Sequence, residues 1–189
     1  MLSEKERQVI DELWKKKLDQ DSKGLPQSQR HRNLEPDSAE MIYSIATGIK
    51  AKHLLEIGGS SGISTIALAS AAHKTNGRLI SIEIEPMRQA QSCQTITQLG
   101  LERYVDFILA DAGKILPTIS QSEFILIDCE KDDYIRFFDM LPLRSDAVVV
   151  ADNILSHQLS DYVSHVRARP GVESITLPIG KGLEVTRIR

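Results

Sequence analysis

The spacing of apolar residues changes several times along the chain, and each change marks an element. Val9, Ile10, Leu13, Trp14 and Leu18 recur at helical spacing behind Ser3-Glu4-Lys5-Glu6, which has the form of a capping box. That stripe suits packing either on the chain's own domain or on a second copy in a homodimer. A polar loop, Asp21 to Pro36, follows and carries the basic cluster Arg30-His31-Arg32; Asp37-Ser38-Ala39-Glu40 then opens a second helix to about Lys50. From there short apolar runs alternate with helical stretches. The strands are expected at His53–Ile57, Leu79–Ile84, Val105–Leu109, Glu123–Asp128 and Ala147–Ala151. The helices fall near Ile63–Ala72, Pro86–Leu99, Gly113–Ile119 and Asp133–Met140. Such alternation predicts an α/β fold, a Rossmann-like doubly wound sheet that is mainly parallel. The ending departs from it. A helix near Leu159–Ala168 precedes Val172–Leu177 and Leu183–Ile188, and the turn Pro178–Gly182 between these strands predicts an antiparallel hairpin.

Two of the apolar runs end abruptly in oxygen ligands. Phe124-Ile125-Leu126-Ile127 runs into Asp128-Cys129-Glu130-Lys131, and Ala147-Val148-Val149-Val150-Ala151 into Asp152-Asn153. Runs of this kind are fully buried parallel strands, and their C-terminal ends face the ligand crevice of an open sheet. Asp128, Asp152 and Asn153 should therefore meet at one edge with Lys131 a step away, a set that suits a hard divalent cation beside a base. Plain helix caps at Asp128 and Asp152 would need no metal. The first strand leads through Gly58-Gly59-Ser60-Ser61-Gly62 into a helix, a turn that lets a ligand approach the backbone. Ser60 breaks the dinucleotide pattern G-x-G-x-x-G. Glu83 closes the following strand, where an acid binds ribose hydroxyls of either NAD or S-adenosylmethionine. Ser64 suits a cofactor carboxylate or an ordinary cap. The same loop formally matches the hydrolase elbow G-x-S-x-G, but it follows the first strand and would leave Glu83 and Asn153 without work.

Bulk composition narrows the class. The 189 residues carry a net charge of −3, which argues against non-specific nucleic-acid binding, and the length suits a single domain. Cys93 and Cys129 form no disulfide framework, and the charged N-terminus lacks the apolar core of a signal peptide. No run approaches a membrane span. The expected setting is the cytoplasm.

With these pieces assembled, the chain resembles the class I S-adenosylmethionine-dependent O-methyltransferases, and within them the metal-dependent catechol and caffeoyl-CoA O-methyltransferase group with its bacterial relatives. Leu54–Ser64 looks like the cofactor loop, Ile82-Glu83-Ile84 like the ribose-binding strand end, and Ala110-Asp111-Ala112 sits where the family contacts adenine. Asp128 to Tyr134 looks like its D-x-x-K-x-x-Y stretch, and Asp152-Asn153 like its metal pair. The resemblance implies cofactor contacts at Glu56, Gly58, Ser60, Gly62, Ser64, Glu83, Ile84, Asp111, Ala112 and Asp128. It implies Mg²⁺ (or Ca²⁺ or Mn²⁺) on Asp128, Asp152 and Asn153, with Lys131 as the base. It makes residues 1–36 an N-terminal helix and substrate-side loop, and 37–189 the methyltransferase domain. Glu184 falls where the catechol enzyme has an acid that holds a substrate hydroxyl. Arg30 and Arg32 stand where that enzyme has bulky apolar guards, a basic rim suited to an anionic acceptor. Glu130 replaces an aromatic residue that packs on adenine.

The implied activity is cation-dependent methyl transfer to a hydroxyl of a small catechol-like aromatic. Phenols titrate at about pH 10, so a cation on the vicinal oxygens is needed to acidify one at neutral pH. Other readings keep parts of the same sequence: O-methylation of a hydroxylated tRNA nucleoside, a non-catalytic S-adenosylmethionine-binding protein, or an NAD oxidoreductase.

Overall fold

Strand and helix ends are set by local chemistry. In the computed structural model, which describes residues 1–26, 29–157 and 159–189, the described residues form seven strands and seven α-helices. Gln27 and Ser28, within the expected Asp21–Pro36 loop, lie outside the described residues, as does Gln158. Helix α1 spans Glu4–Ser22, and the Ser3 hydroxyl and Glu6 carboxylate make the reciprocal capping box. Helix α2 spans Pro36–Gly48 with Pro36 at its start, where the missing N–H costs nothing. Strand β1 (His53–Ile57) leads to α3 (Ile63–Thr75), β2 (Arg78–Glu83) to α4 (Pro86–Leu99), and β3 (Val105–Leu109) to α5 (Ala112–Ile115). Asn76 and Gly100, both in the left-handed region, stop α3 and α4. Strand β4 (Ser122–Ile127) is followed by α6 (Tyr134–Met140), and β5 (Leu143–Ala151) by α7 (Ser160–Ala168); β6 (Val172–Leu177) and β7 (Leu183–Ile188) close the sheet.

The strand order is β3-β2-β1-β4-β5-β7-β6. Strands β1 to β5 run parallel, and β7 lies antiparallel between β5 and β6. The order reverses between β1 and β4, which opens a crevice at their C-terminal ends. Successive strand residues enter opposite cores, as a pleated strand requires. Leu54, Leu126 and Val150 pack with Ile42 and Ile66 on one face; Leu55, Ile125 and Val149 pack with Tyr134, Phe138 and Tyr162 on the other. Ile10 and Leu13 of α1 join the first core and Val9 and Trp14 pack against it, while Leu18, at the end of the stripe, is 47% exposed. On the second face Tyr162 meets Tyr134 and Phe138 edge-on, with centroids 5.5 and 5.9 Å apart, contacts worth ~0.5–1.5 kcal/mol each.

The strands at His53, Val105, Val172 and Leu183 have the expected bounds, β2 and β4 are shifted by one residue, and three segments differ more. β5 begins at Leu143 because Leu143 pairs with Ser122; the exposed Arg144-Ser145-Asp146 stretch that follows falls in the register shift before Val148 and gives no apolar signal. The expected Gly113–Ile119 helix is one α turn followed by a 3₁₀ turn at Leu116–Thr118, since Pro117 cannot donate to a continued helix. Helix α1 extends through Ser22 into the expected loop.

At the crevice Gly58 has φ +94°, and a Cβ there would lie 2.1 Å from the carbonyl oxygen of Asp128. Gly58→Ala should therefore cost more than about 2 kcal/mol, a melting-point loss of roughly 4–8 °C for a chain of this size. Gly48, with ordinary φ and open space at its Cβ, is the control. Gly48→Ala should leave the melting point unchanged or raise it.

Candidate functional site

The residues after β1, β2, β4 and β5 surround one cavity of about 340 Å³, within the usual range for small-molecule sites. One end is built by the glycine loop. Gly58 and Ser60 line it, and Ser60 adopts φ +47°, a conformation that costs a non-glycine residue about 1–2 kcal/mol. The strain is held by Glu83, whose Oε2 accepts the Ser60 N–H at 2.8 Å while its Oε1 accepts those of Ile84 and Glu85 at 2.8 and 2.9 Å. Ile84, Asp111 and Ala112 line the same end, with Asp111 also capping α5 through Gly113 N–H. Glu56, Gly62 and Ser64 lie behind the loop, off the cavity wall. The Glu56 carboxylate is wholly buried, accepts from Thr65 (2.8 Å) and Ser81, and has its pKa raised by that burial. It braces the turn from below: a side chain on Gly59 would strike it at 2.8 Å. Gly62 (φ +112°) gives the sharp entry into α3, against Ser92.

The other end is acidic and amidic. Asn153 sits at φ +65°, which asparagine tolerates better than most residues. Its Nδ2 donates to Asp128 Oδ1 at 2.9 Å and to Asp152 Oδ2 at 2.8 Å. Two buried carboxylates thus share one amide, and Asp152 Oδ1 has no hydrogen-bond partner among the described residues. Burial raises the pKa of Asp128, and burial followed by the field of Asp128 pushes Asp152 up to about 8. Lys131 Nζ stands 3.5 Å from Asp128 Oδ1 and donates to Tyr134 Oη at 2.7 Å; that hydroxyl donates in turn to the Asp152 carbonyl. Lys131 is therefore tied into the site rather than paired with Asp132 or Asp133. Among the described residues no cluster of three or more His, Cys, Asp or Glu is placed to hold a metal. The set here is two carboxylates and an amide. It is a donor set of the kind a hard cation takes, provided the Asn153 amide turns its oxygen inward.

Two sequence expectations need correction. Glu184 is completely buried away from the cavity, its carboxylate accepting from Arg167 Nε (2.9 Å), Ser174 Oγ (2.6 Å) and Thr176. It faces α7 because the pleat sends Leu183, not Glu184, into the other core. It cannot hold an acceptor. Arg30 and Arg32 do line the cavity, but each is paired: Arg30 with Asp21 at 3.1 Å and Arg32 in a fork on Glu130. The rim is a set of ion pairs rather than bare cations. Its middle member, His31, has its pKa lowered to about 4, by burial first and then by Lys16 and Arg88. The backbone of this segment also closes on the glycine loop, with Arg32 N–H donating to Ser60 Oγ (3.0 Å) and Ser61 Oγ to Asn33 Oδ1 (3.1 Å).

Sequence reasoning passed over Glu35 and Lys181. Lys181 lines the cavity from the β6–β7 turn, and its Nζ meets Glu35 Oε1 at 2.8 Å. The signal was there in Gly180-Lys181-Gly182, a side chain between two glycines.

A family model described as O-methyltransferase matches residues 2–188. A catechol O-methyltransferase from Niastella koreensis is 32% identical over 130 residues, covering 65% of this chain and 58% of the relative. One from Mycobacterium tuberculosis is 30% identical over 120 residues, covering 61% and 54%. The matched region thus spans little more than half the length of these curated relatives. In fold, an O-methyltransferase from Bacillus cereus solved in complex with SAH superposes with a TM-score of 0.81 at 19% identity, covering 96% of this chain and 91% of that one.

A pH dependence follows from Asp152. Its pKa is raised on folding, so its contribution to stability is full below the unfolded value of about 3.9 and is lost as pH rises toward about 8. In chelated buffer Asp152→Asn should gain on the parent protein across that window. At pH 8 its melting point should be higher by at least about 2–4 °C, the equivalent of 1 kcal/mol. Parallel melting curves from pH 4 to 8 would remove the assignment.

Proposed function

The chain belongs to the O-methyltransferase family, and from that premise we propose that it transfers a methyl group from S-adenosylmethionine to a hydroxyl of a small aromatic diol, with a divalent cation at Asp128, Asp152 and Asn153. The observation that carries this reading is the amide of Asn153 shared by two buried carboxylates, in the same cavity as the glycine loop and Glu83.

S-adenosylmethionine, when bound, supplies an electrophilic methyl group on a sulfonium. The Gly58–Ser60 backbone gives it close approach, and Glu83 accepts from ribose hydroxyls with lone pairs its three backbone donors leave over. A divalent cation, when bound, supplies charge that acidifies an aromatic hydroxyl and holds it in place. Asp128, Asp152 and Asn153 would ligate it, and binding would hold both carboxyls ionised against their raised pKa values. Lys131, in its neutral amine form, takes up the hydroxyl proton at Nζ. The Tyr134 hydroxyl fixes that amine, and Asp128 beside it attracts the ammonium that results. Holding donor and acceptor in line accounts for much of the rate, ~7–11 kcal/mol in well-oriented systems.

The two free cysteines fit a reducing, cytoplasmic setting. Among the described residues no helix is long and apolar enough to cross a membrane.

Labelled S-adenosylmethionine with catechol and Mg²⁺ tests the reading. Asp152→Ala should abolish Mg²⁺-stimulated transfer yet leave S-adenosylmethionine binding measurable by calorimetry, and undiminished turnover in EDTA would defeat the cation's role. Lys131→Ala should lower kcat about 10²–10⁴-fold with a smaller change in KM, and an unaltered pH–rate profile would remove Lys131 as the base.

A further inference from the structure

The β6–β7 turn places a single cation over the acidic end of the cavity and clamps it there. Gly180 and Gly182 flank Lys181 with φ +56° and +92°, and neither has room for a side chain. A Cβ on Gly180 would meet Ser38 Oγ at 2.5 Å and Glu35 Oε2 at 2.9 Å; one on Gly182 would meet Leu155 Cγ at 2.5 Å. The turn is thus wedged between the N-terminus of α2 and the segment after Asn153. Two backbone bonds fix its height: Ile154 N–H donates to the Gly182 carbonyl (3.0 Å) and Leu155 N–H to that of Lys181 (2.9 Å). Lys181 is therefore held by the very residues that follow Asp152-Asn153.

Its side chain is held as well. Glu35 Oε1 takes one of the three ammonium hydrogens at 2.8 Å, while Glu35 Oε2 is buried with no partner among the described residues. A long, flexible amine so tethered loses little further freedom on meeting a ligand, and its other hydrogens remain for the cavity it lines. Charges of both signs surround it, with Lys131 and Arg32 lining the same cavity as Asp128 and Glu130. On the same wall the His157 ring has its pKa lowered by burial and then by Lys131, Lys181 and Arg32. Of these cations Arg32 is spent in a fork on Glu130, and Lys131 is committed to Asp128 and Tyr134. Among the described residues Lys181 has a single acid partner, and it keeps two ammonium hydrogens for an acceptor seated at Asn153.

We propose that Lys181 determines specificity, selecting an aromatic diol that also carries a carboxylate, which it binds beside the Asp128, Asp152 and Asn153 end of the cavity. The inference rests on the methyl-transfer reading and extends it to the acceptor's chemical class. Glu35 acts as a positioning residue through Lys181. A carboxylate on the ring meets a charge-assisted donor fixed by two glycines, whereas a neutral diol leaves that ammonium desolvated without a new partner.

The test compares 3,4-dihydroxybenzoate with catechol, using labelled S-adenosylmethionine and Mg²⁺, in the parent, Lys181→Met, Lys181→Arg and Glu35→Gln proteins. The parent should favour the carboxylated diol in kcat/KM, and Lys181→Met, which keeps the apolar stem, should reduce that ratio by at least about tenfold. Lys181→Arg should retain part of the preference, and Glu35→Gln should fall between it and Lys181→Met. An unchanged ratio in Lys181→Met, or a parent that favours catechol, overturns the proposal. Calorimetric binding of 3,4-dihydroxybenzoate in the presence of SAH and Mg²⁺ separates the two levels. Binding weakened in Lys181→Met without turnover of either diol would sink methyl transfer to such diols and sustain Lys181 as the reader of the carboxylate. Equal binding in the two proteins would overturn the role of Lys181.

Discussion

At the end of β1 the backbone of Gly58 lies against the carbonyl of Asp128 so closely that a single methyl group between them would have to displace one strand. This contact fixes how β1 and β4 leave the sheet where the strand order reverses. It turns the glycine loop to one side and sends the Asp128 carboxyl to the other, so both ends of the cavity take their position from the same pair of backbones. Three further bonds hold the junction: Gly58 N–H to Ile82, Asp128 N–H to Ile57 and Asp152 N–H to Ile127. The glycine-loop end and the acidic end are therefore parts of one rigid frame.

The acidic end is unfavourable for folding by itself. Two carboxyls are buried within reach of one amide, one of their oxygens has no partner among the described residues, and both are driven toward the neutral form. A core selected only for stability would not contain them. On the proposed reading, a positive ion bound there would reverse the sign of the local electrostatics. The cationic side chains around the cavity are treated differently: Arg30, Arg32 and Lys181 each have an acid partner from another part of the chain. The frame therefore presents a site short of positive charge inside a rim that is nearly balanced.

Much of this was legible in the sequence because the buried parallel strands are continuous apolar runs that end at chemistry-bearing residues. Asp128, Asp152, Asn153 and Lys131 could be brought together from run endings alone, since parallel strands share a direction. Glu184 could not be placed in the same way. It sits on an antiparallel strand, and period-two alternation does not say which face looks toward the site; its partners Arg167, Ser174 and Thr176 become visible only when α7 and β6 are folded beside it. Arg30 and Arg32 read as a basic rim because Asp21 and Glu130 are distant in sequence from one or both of them. Lys181 was passed over for a related reason: its glycine neighbours read as turn residues, and their crowding against Glu35 and Leu155 is a tertiary fact.

The position of β7 bears on how the molecule is made. It is the last strand in chain order, yet it lies inside the sheet between β5 and β6. During synthesis from the N-terminus, the parallel strands and their helices can form while the edge of β5 at Val148–Ala151 still lacks its neighbour. An apolar edge of that kind invites pairing with other chains. The segment after Asn153 also waits, because its N–H groups bond to the carbonyls of Lys181 and Gly182. The cavity is thus complete only once β7 has paired, and the interval before β7 arrives is when the β5 edge is most exposed to misassembly.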